Sequence, residues 1–142
     1  SLMMAAAKTG MKMMVASPEG YEPDQQVFKL AEETAGVTGA EIIITNDPKE
    51  AAADADVIYT DVWTSMGQEE ENEIRLKAFA GFQVNEELVR LAKKDFMFLH
   101  CLPAHRGEEV AAEVIDGKNS YVFQQAGNRL HAQKALLLEI LK

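Results

Sequence analysis

Short apolar runs of three to six residues alternate along this chain with longer stretches in which apolar positions recur every three to four residues. The first pattern predicts buried strands over 12–17, 41–45, 57–60, 96–99 and 121–123, and the second predicts helices between them. Helix signals bracket these stretches. Asp24 follows Pro23 as an N-cap, and Val27, Leu30 and Ala31 form one apolar stripe that Gly36 is expected to end. Pro48 occupies a first helical position after Asp47, and Asn85 caps a helix whose Leu88, Leu91 and Ala92 share a face. Further helices are expected over 69–79, 108–115 and 128–141. An opening helix over 1–9, closed by Gly10, has no strand before it and reads as an element cut into.

Strict alternation of strand and helix is the pattern of an α/β domain, with a parallel sheet covered by helices on both faces. In such folds ligands bind beyond the carboxyl ends of the strands. No internal repeat, low-complexity linker or second domain boundary is visible, so residues 1–142 are expected to form one domain.

Composition narrows the functional classes. The 142 residues are 47% hydrophobic and 26% charged, with a net charge of −9 at pH 7, and no Lys/Arg cluster is present. Nucleic acid and acidic membranes are therefore poor partners. The single cysteine cannot form an internal disulfide, and no apolar run approaches the roughly 20 residues of a membrane span. The expected location is cytoplasmic.

Three polar constellations sit at predicted strand ends or helix starts. Residues 61–68, DVWTSMGQ, follow the third strand; Asp61 could hold a substrate ammonium beside a Gly67-containing loop, or the segment could simply cap the next helix. Residues 96–106, FMFLHCLPAHR, carry an apolar strand into His100 and Cys101, with Pro103 placed for a possible cis bond. Cys101 could be a nucleophile, a metal ligand or an inert core residue. Residues 125–134, QAGNRLHAQK, place Asn128 as a cap for the last helix and Arg129 near its N-terminus, where a shared anion or plain solvation must offset the helix dipole. A zinc site lacks a complete ligand set, and no G-x-G-x-x-G follows a strand, so no metal or dinucleotide cofactor is expected.

Three of these segments together carry a resemblance. DVWTSMGQE at 61–69, HCLPAHRGEEV at 100–110 and NRLHAQKALL at 128–137, with GYEPD at 20–24, are similar to the signatures of the ornithine carbamoyltransferase family. The likeness covers essentially the whole chain, but only the second, ornithine-binding half of that family. The carbamoyl phosphate half, with its S-T-R-T signature, and the first strand of this domain have no counterpart here.

The resemblance implies a Rossmann-like three-layer α/β/α fold with a mostly parallel sheet whose central strand is truncated. It implies transfer of the carbamoyl group of carbamoyl phosphate to L-ornithine, giving L-citrulline and phosphate in amino-acid biosynthesis, without cofactor or metal. Carried over, Asp61, Ser65 and Met66 bind ornithine. Cys101, Leu102 and Arg129 face carbamoyl phosphate, Leu102-Pro103 is cis, and Cys101, Arg129 and Asp61 serve catalysis. Aspartate-using relatives have His-Pro where this chain has His100-Cys101, and acetylornithine relatives lack the Ser65-Met66-Gly67 turn, so ornithine is favoured. The full enzyme is a homo-oligomer. The chain alone is expected to self-associate and to lack turnover; the alternative is a non-catalytic binding or assembly module that retains the signatures.

Overall fold

Gly10 and Gly39 both take left-handed backbone conformations, with φ of 73° and 79°, and each closes a helix. At Gly10 a side chain would also press on the Thr38 carbonyl oxygen, 3.3 Å from where its Cβ would sit, so glycine fits this stop twice over. The computed structural model describes residues 1–64 and 71–142, which divide into two compact units, 1–51 and 52–142.

The first unit runs α1 (Leu2–Thr9), β1 (Lys12–Ala16), α2 (Gln25–Thr38) and β2 (Glu41–Thr45), and ends within α3 (Pro48–Ala52). Asp24 caps α2 as expected, its carboxylate accepting from the N–H groups of Gln26 and Val27. The helix passes Gly36 and stops at Gly39, because a single glycine inside a helix weakens it without breaking it. β1 and β2 pair in parallel, Lys12 opposite Glu41 through Ala16 opposite Thr45. Ala7 and Ala31, both fully buried, join Met3, Ala6, Ala35 and Ile42 in one core. Alanine there lets α1 and α2 approach closely.

The second unit holds β3 (Val57–Thr60), α4 (Asn72–Ala78), α5 (Glu86–Val89), β4 (Met97–His100), α6 (Ala112–Ile115) and α7 (Val122–Ile140). β3 and β4 are parallel, with Thr60 opposite His100. The described strands thus form two separate two-stranded parallel sheets. Phe98, Val110 and Val122 are the buried centre of this unit, with Ile58, Val84, Leu88, Val114 and Ile115 around them.

Three sequence expectations are corrected here. Residues 121–123 do not form a fifth strand: the segment beside β4 makes one bridge, with Phe98 N–H donating to Asn119 and Tyr121 N–H to Phe98, and then turns into α7. Val122 is buried as part of the helix start, so tertiary packing overrides the β-propensity of Tyr-Val-Phe. The helix expected over 108–115 shrinks to Ala112–Ile115, because Glu109 and Val110 turn inward and pair by backbone with Val84. The last helix begins at Val122, not 128, so Asn128 is no cap and Arg129 lies two turns into α7, beyond the reach of the terminal dipole.

Candidate functional site

β3 and β4 run in the same direction and end side by side, so the residues just past their carboxyl ends, Asp61 and Cys101, are neighbours. The Cys101 thiol donates to Asp61 Oδ1 at 2.8 Å, and that oxygen also accepts the Val62 N–H at 2.7 Å. Partial burial, then the hydrogen bond to Asp61 and its charge, push the Cys101 thiol above its ordinary range. It is held as a thiol, which argues against an activated thiolate nucleophile. Tyr59 belongs to the same group. Its hydroxyl is pushed up mainly by burial and next by its hydrogen bond with Cys101, while a hydrogen bond with Gln125 acts the other way.

Past Asp61 the chain is tied to α4. Thr64 Oγ1 bonds Asn72 Oδ1 at 2.8 Å, Arg75 Nη1 donates to the Trp63 carbonyl at 3.3 Å, and the Trp63 and Phe79 rings lie 5.7 Å apart. Ser65 and Met66, both expected to bind ornithine, lie outside the described residues.

Beyond Cys101 the backbone turns sharply. Leu102 has φ of 57°, a left-handed value unusual for a side chain branched beyond Cβ, and the Leu102-Pro103 bond is cis as the resemblance implied. Leu102 N–H donates to His100 Nδ1 at 2.8 Å, and His100 Nε2 faces Glu109 Oε1 at 3.1 Å, with both side chains fully buried. Glu109 Oε1 also accepts the His105 N–H. Arg106 leaves the site: its guanidinium grips Asp116 through two bonds, at 3.0 and 2.7 Å, which holds the Asp116 carboxyl below its usual range. His105, Glu108 and Glu109 offer three donor atoms within 4.8 Å of one another, but Glu109 is already committed to His100 and His105.

Arg129 lies on α7, one turn beyond Gln125. Gln125 accepts the His100 N–H at 3.0 Å. Both residues line an open groove of about 400 Å³ with Met97, Leu99, Tyr121 and Asn128. The structure thus brings Asp61 and Cys101 into direct contact and sets Arg129 on the β4–α7 groove, whose lining includes neither of them.

The chain matches known proteins at the level of family and fold. A family model described as the Asp/Orn binding domain of aspartate/ornithine carbamoyltransferase matches residues 1–140. The chain belongs to the aspartate/ornithine carbamoyltransferase family.

Among its relatives, the ornithine carbamoyltransferase of Anoxybacillus flavithermus is 67% identical over 99% of this chain, and that of Geobacillus stearothermophilus 60% over the same share. Solved ornithine carbamoyltransferases from Pyrococcus furiosus and Campylobacter jejuni superpose with TM-scores of 0.92 and 0.93, at 60% and 40% identity, over 96% and 97% of this chain and 44% and 46% of theirs. The fold is accordingly α/β and Rossmann-like. The chain spans 45% of the length of these first two curated relatives. Sequence reasoning missed three residues that the structure places around the ends of β3 and β4: Tyr59, Glu109 and Gln125. Strand alternation could have found Tyr59, which sits two residues before Asp61 and so on its face.

Proposed function

We propose that residues 1–142 are the ornithine-binding part of an ornithine carbamoyltransferase, which transfers the carbamoyl group of carbamoyl phosphate to the δ-amine of L-ornithine. The contact between Asp61 and Cys101 carries this reading. It sets an exposed carboxylate, suited to an ammonium group, against a protonated thiol at the carboxyl ends of parallel strands. In this reading Asp61, Ser65 and Met66 hold ornithine. Cys101 and Leu102 wall the reacting centre, and Arg129 polarises the carbamoyl oxygen as negative charge grows on it. Cys101 acts by hydrogen bonding, so no covalent intermediate forms and no metal or cofactor is needed.

The substrate choice is supported by identity. Relatives and solved structures named ornithine carbamoyltransferase or transcarbamoylase are 38–67% identical, whereas the acetylornithine transcarbamylase structures are 29% identical. The working enzyme is a homo-oligomer in this proposal. Leu130, Leu137, Leu138 and Leu141 of α7 and its end are 56–78% exposed, and supply a face for association of the chain with its own copies.

Citrulline formation tests the assignment. The chain alone should give none, and the chain supplied with the carbamoyl phosphate half of a relative should give turnover. Cys101→Ala and Arg129→Ala should then lower turnover in the folded protein, and Asp61→Asn should chiefly raise the ornithine KM. A reconstituted enzyme indifferent to all three substitutions overturns the site. A chain that binds no ornithine under any of these conditions instead favours a non-catalytic module.

A further inference from the structure

Glu109 is fully buried, yet one of its carboxylate oxygens, Oε2, has no hydrogen-bond partner among the described residues. A buried carboxylate so poorly satisfied is a cost that an apolar residue of similar volume would not carry. Its other oxygen collects two donors, His100 Nε2 at 3.1 Å and His105 N–H at 2.6 Å. These donors stand at the two ends of the Cys101–Ala104 turn. One oxygen therefore closes that turn like a clasp.

The imidazole between them has its proton placed by geometry. A backbone N–H can only donate, so His100 Nδ1, 2.8 Å from Leu102 N, must be the acceptor. The ring proton then sits on Nε2 and points at Glu109. Leu102, held by that bond, is in the left-handed conformation, which is unfavourable for a non-glycine residue. The residue before it is Cys101, whose thiol is aimed at Asp61.

We propose that Glu109 is a positioning residue: it fixes the Nε2–H tautomer of His100, which holds Leu102 N–H and so sets the turn that presents Cys101 to Asp61. Its consequence for turnover rests on the carbamoyl transfer reading, but the arrangement does not.

The test is made on the whole chain without substrates, so failure of carbamoyl transfer leaves it intact. In a His105→Gln, His131→Gln background His100 is the sole histidine, and ¹⁵N–¹H long-range correlation of the labelled ring should show Nε2 protonated and Nδ1 bare. A proton on Nδ1, or one averaged over both nitrogens, overturns the proposal without any change at Glu109. Glu109→Gln keeps an acceptor oxygen and should preserve the signature, with Cys101 alkylated at the wild-type rate. Glu109→Ala, if folded, should average the ring signals and speed Cys101 alkylation by about tenfold, the scale of one lost hydrogen bond. Equal alkylation in folded Gln and Ala variants overturns the clasp. If the Ala variant does not fold, loss of the ring signature in a folded Gln variant does so.

Discussion

Cys101 Sγ lies 2.8 Å from Asp61 Oδ1, across the ends of two parallel strands. Burial and that carboxylate both favour the neutral thiol, so its titration lies above the ordinary value, and at any given pH less thiolate is present than on a free cysteine. Alkylation by iodoacetamide should therefore be slow at pH 8 and rise only in more alkaline solution. Asp61→Asn removes the charge but not the burial. It should shift the rate profile to lower pH without bringing it fully to that of a free thiol, which stopped-time mass spectrometry would follow.

Phe98 is the side chain on which the second unit depends most. It is fully buried in β4 and its backbone bridges the segment leading into α7. Phe98→Ala should cost about 3–5 kcal/mol. Urea unfolding followed by circular dichroism measures this, and a loss under 1 kcal/mol would mean that the core lies elsewhere.

The elements that the sequence made legible are those with local causes. Asp24, Pro48 and Asn85 are helix-start residues whose roles follow from their own side chains or ring, and all three begin helices at the expected places. Residues 41–45 and 57–60 are strands as their β-branched runs require. The misread segments depend on distant partners. Glu108–Ala111 has helical composition, but Val84, far away in sequence, takes its backbone bonds. Tyr121–Phe123 has strand composition, but the bridge to β4 falls at Ser120, just before it. The site divides in the same way. Asp61 and Cys101 were legible because both end strands, and a parallel register then brings them together. Glu109 was not, since nothing in Gly-Glu-Glu-Val says which glutamate turns inward.

Two glycines predict opposite outcomes for the same change. At Gly117 an added Cβ would sit 2.6 Å from the Glu113 carbonyl oxygen and 3.2 Å from that of Val114, both backbone atoms that cannot swing away. Gly117→Ala should destabilise by about 1–3 kcal/mol. At Gly36, inside α2, the added methyl meets nothing within 4 Å among the described residues. Gly36→Ala should stabilise by about 0.5–1 kcal/mol through helix propensity and a less flexible unfolded chain. Denaturant midpoints of the two variants on either side of the parent would confirm the pair.

Asn85 Oδ1 accepts the N–H of Leu88, the buried residue that pins the single-turn helix α5. So short a helix has little stability of its own, and the cap and Leu88 must hold it. Asn85→Ala should cost about 1 kcal/mol and Asn85→Asp much less, because aspartate retains the acceptor. Equal losses from the two changes, measured by urea unfolding, would show that the cap bond is not what holds α5.

Gln125 joins α7 to the strand end by accepting the His100 N–H at 3.0 Å. His100 is almost wholly buried, so water cannot readily replace that acceptor if it is removed. Gln125→Leu leaves an apolar side chain, one atom shorter, that can still pack but strands the donor. It should cost about 1–3 kcal/mol, the range for an unsatisfied buried group. Gln125→Glu retains the oxygen and should keep most of that stability, yet it brings a negative charge to Tyr59, whose hydroxyl already titrates high and bonds Gln125. The Glu variant should therefore move the Tyr59 titration further up, read as a phenolate absorbance that appears at higher pH. A Leu variant as stable as the parent would mean that α7 is held by Val122 and its neighbours alone, and that Gln125 serves the groove beside Arg129 without bracing the strand.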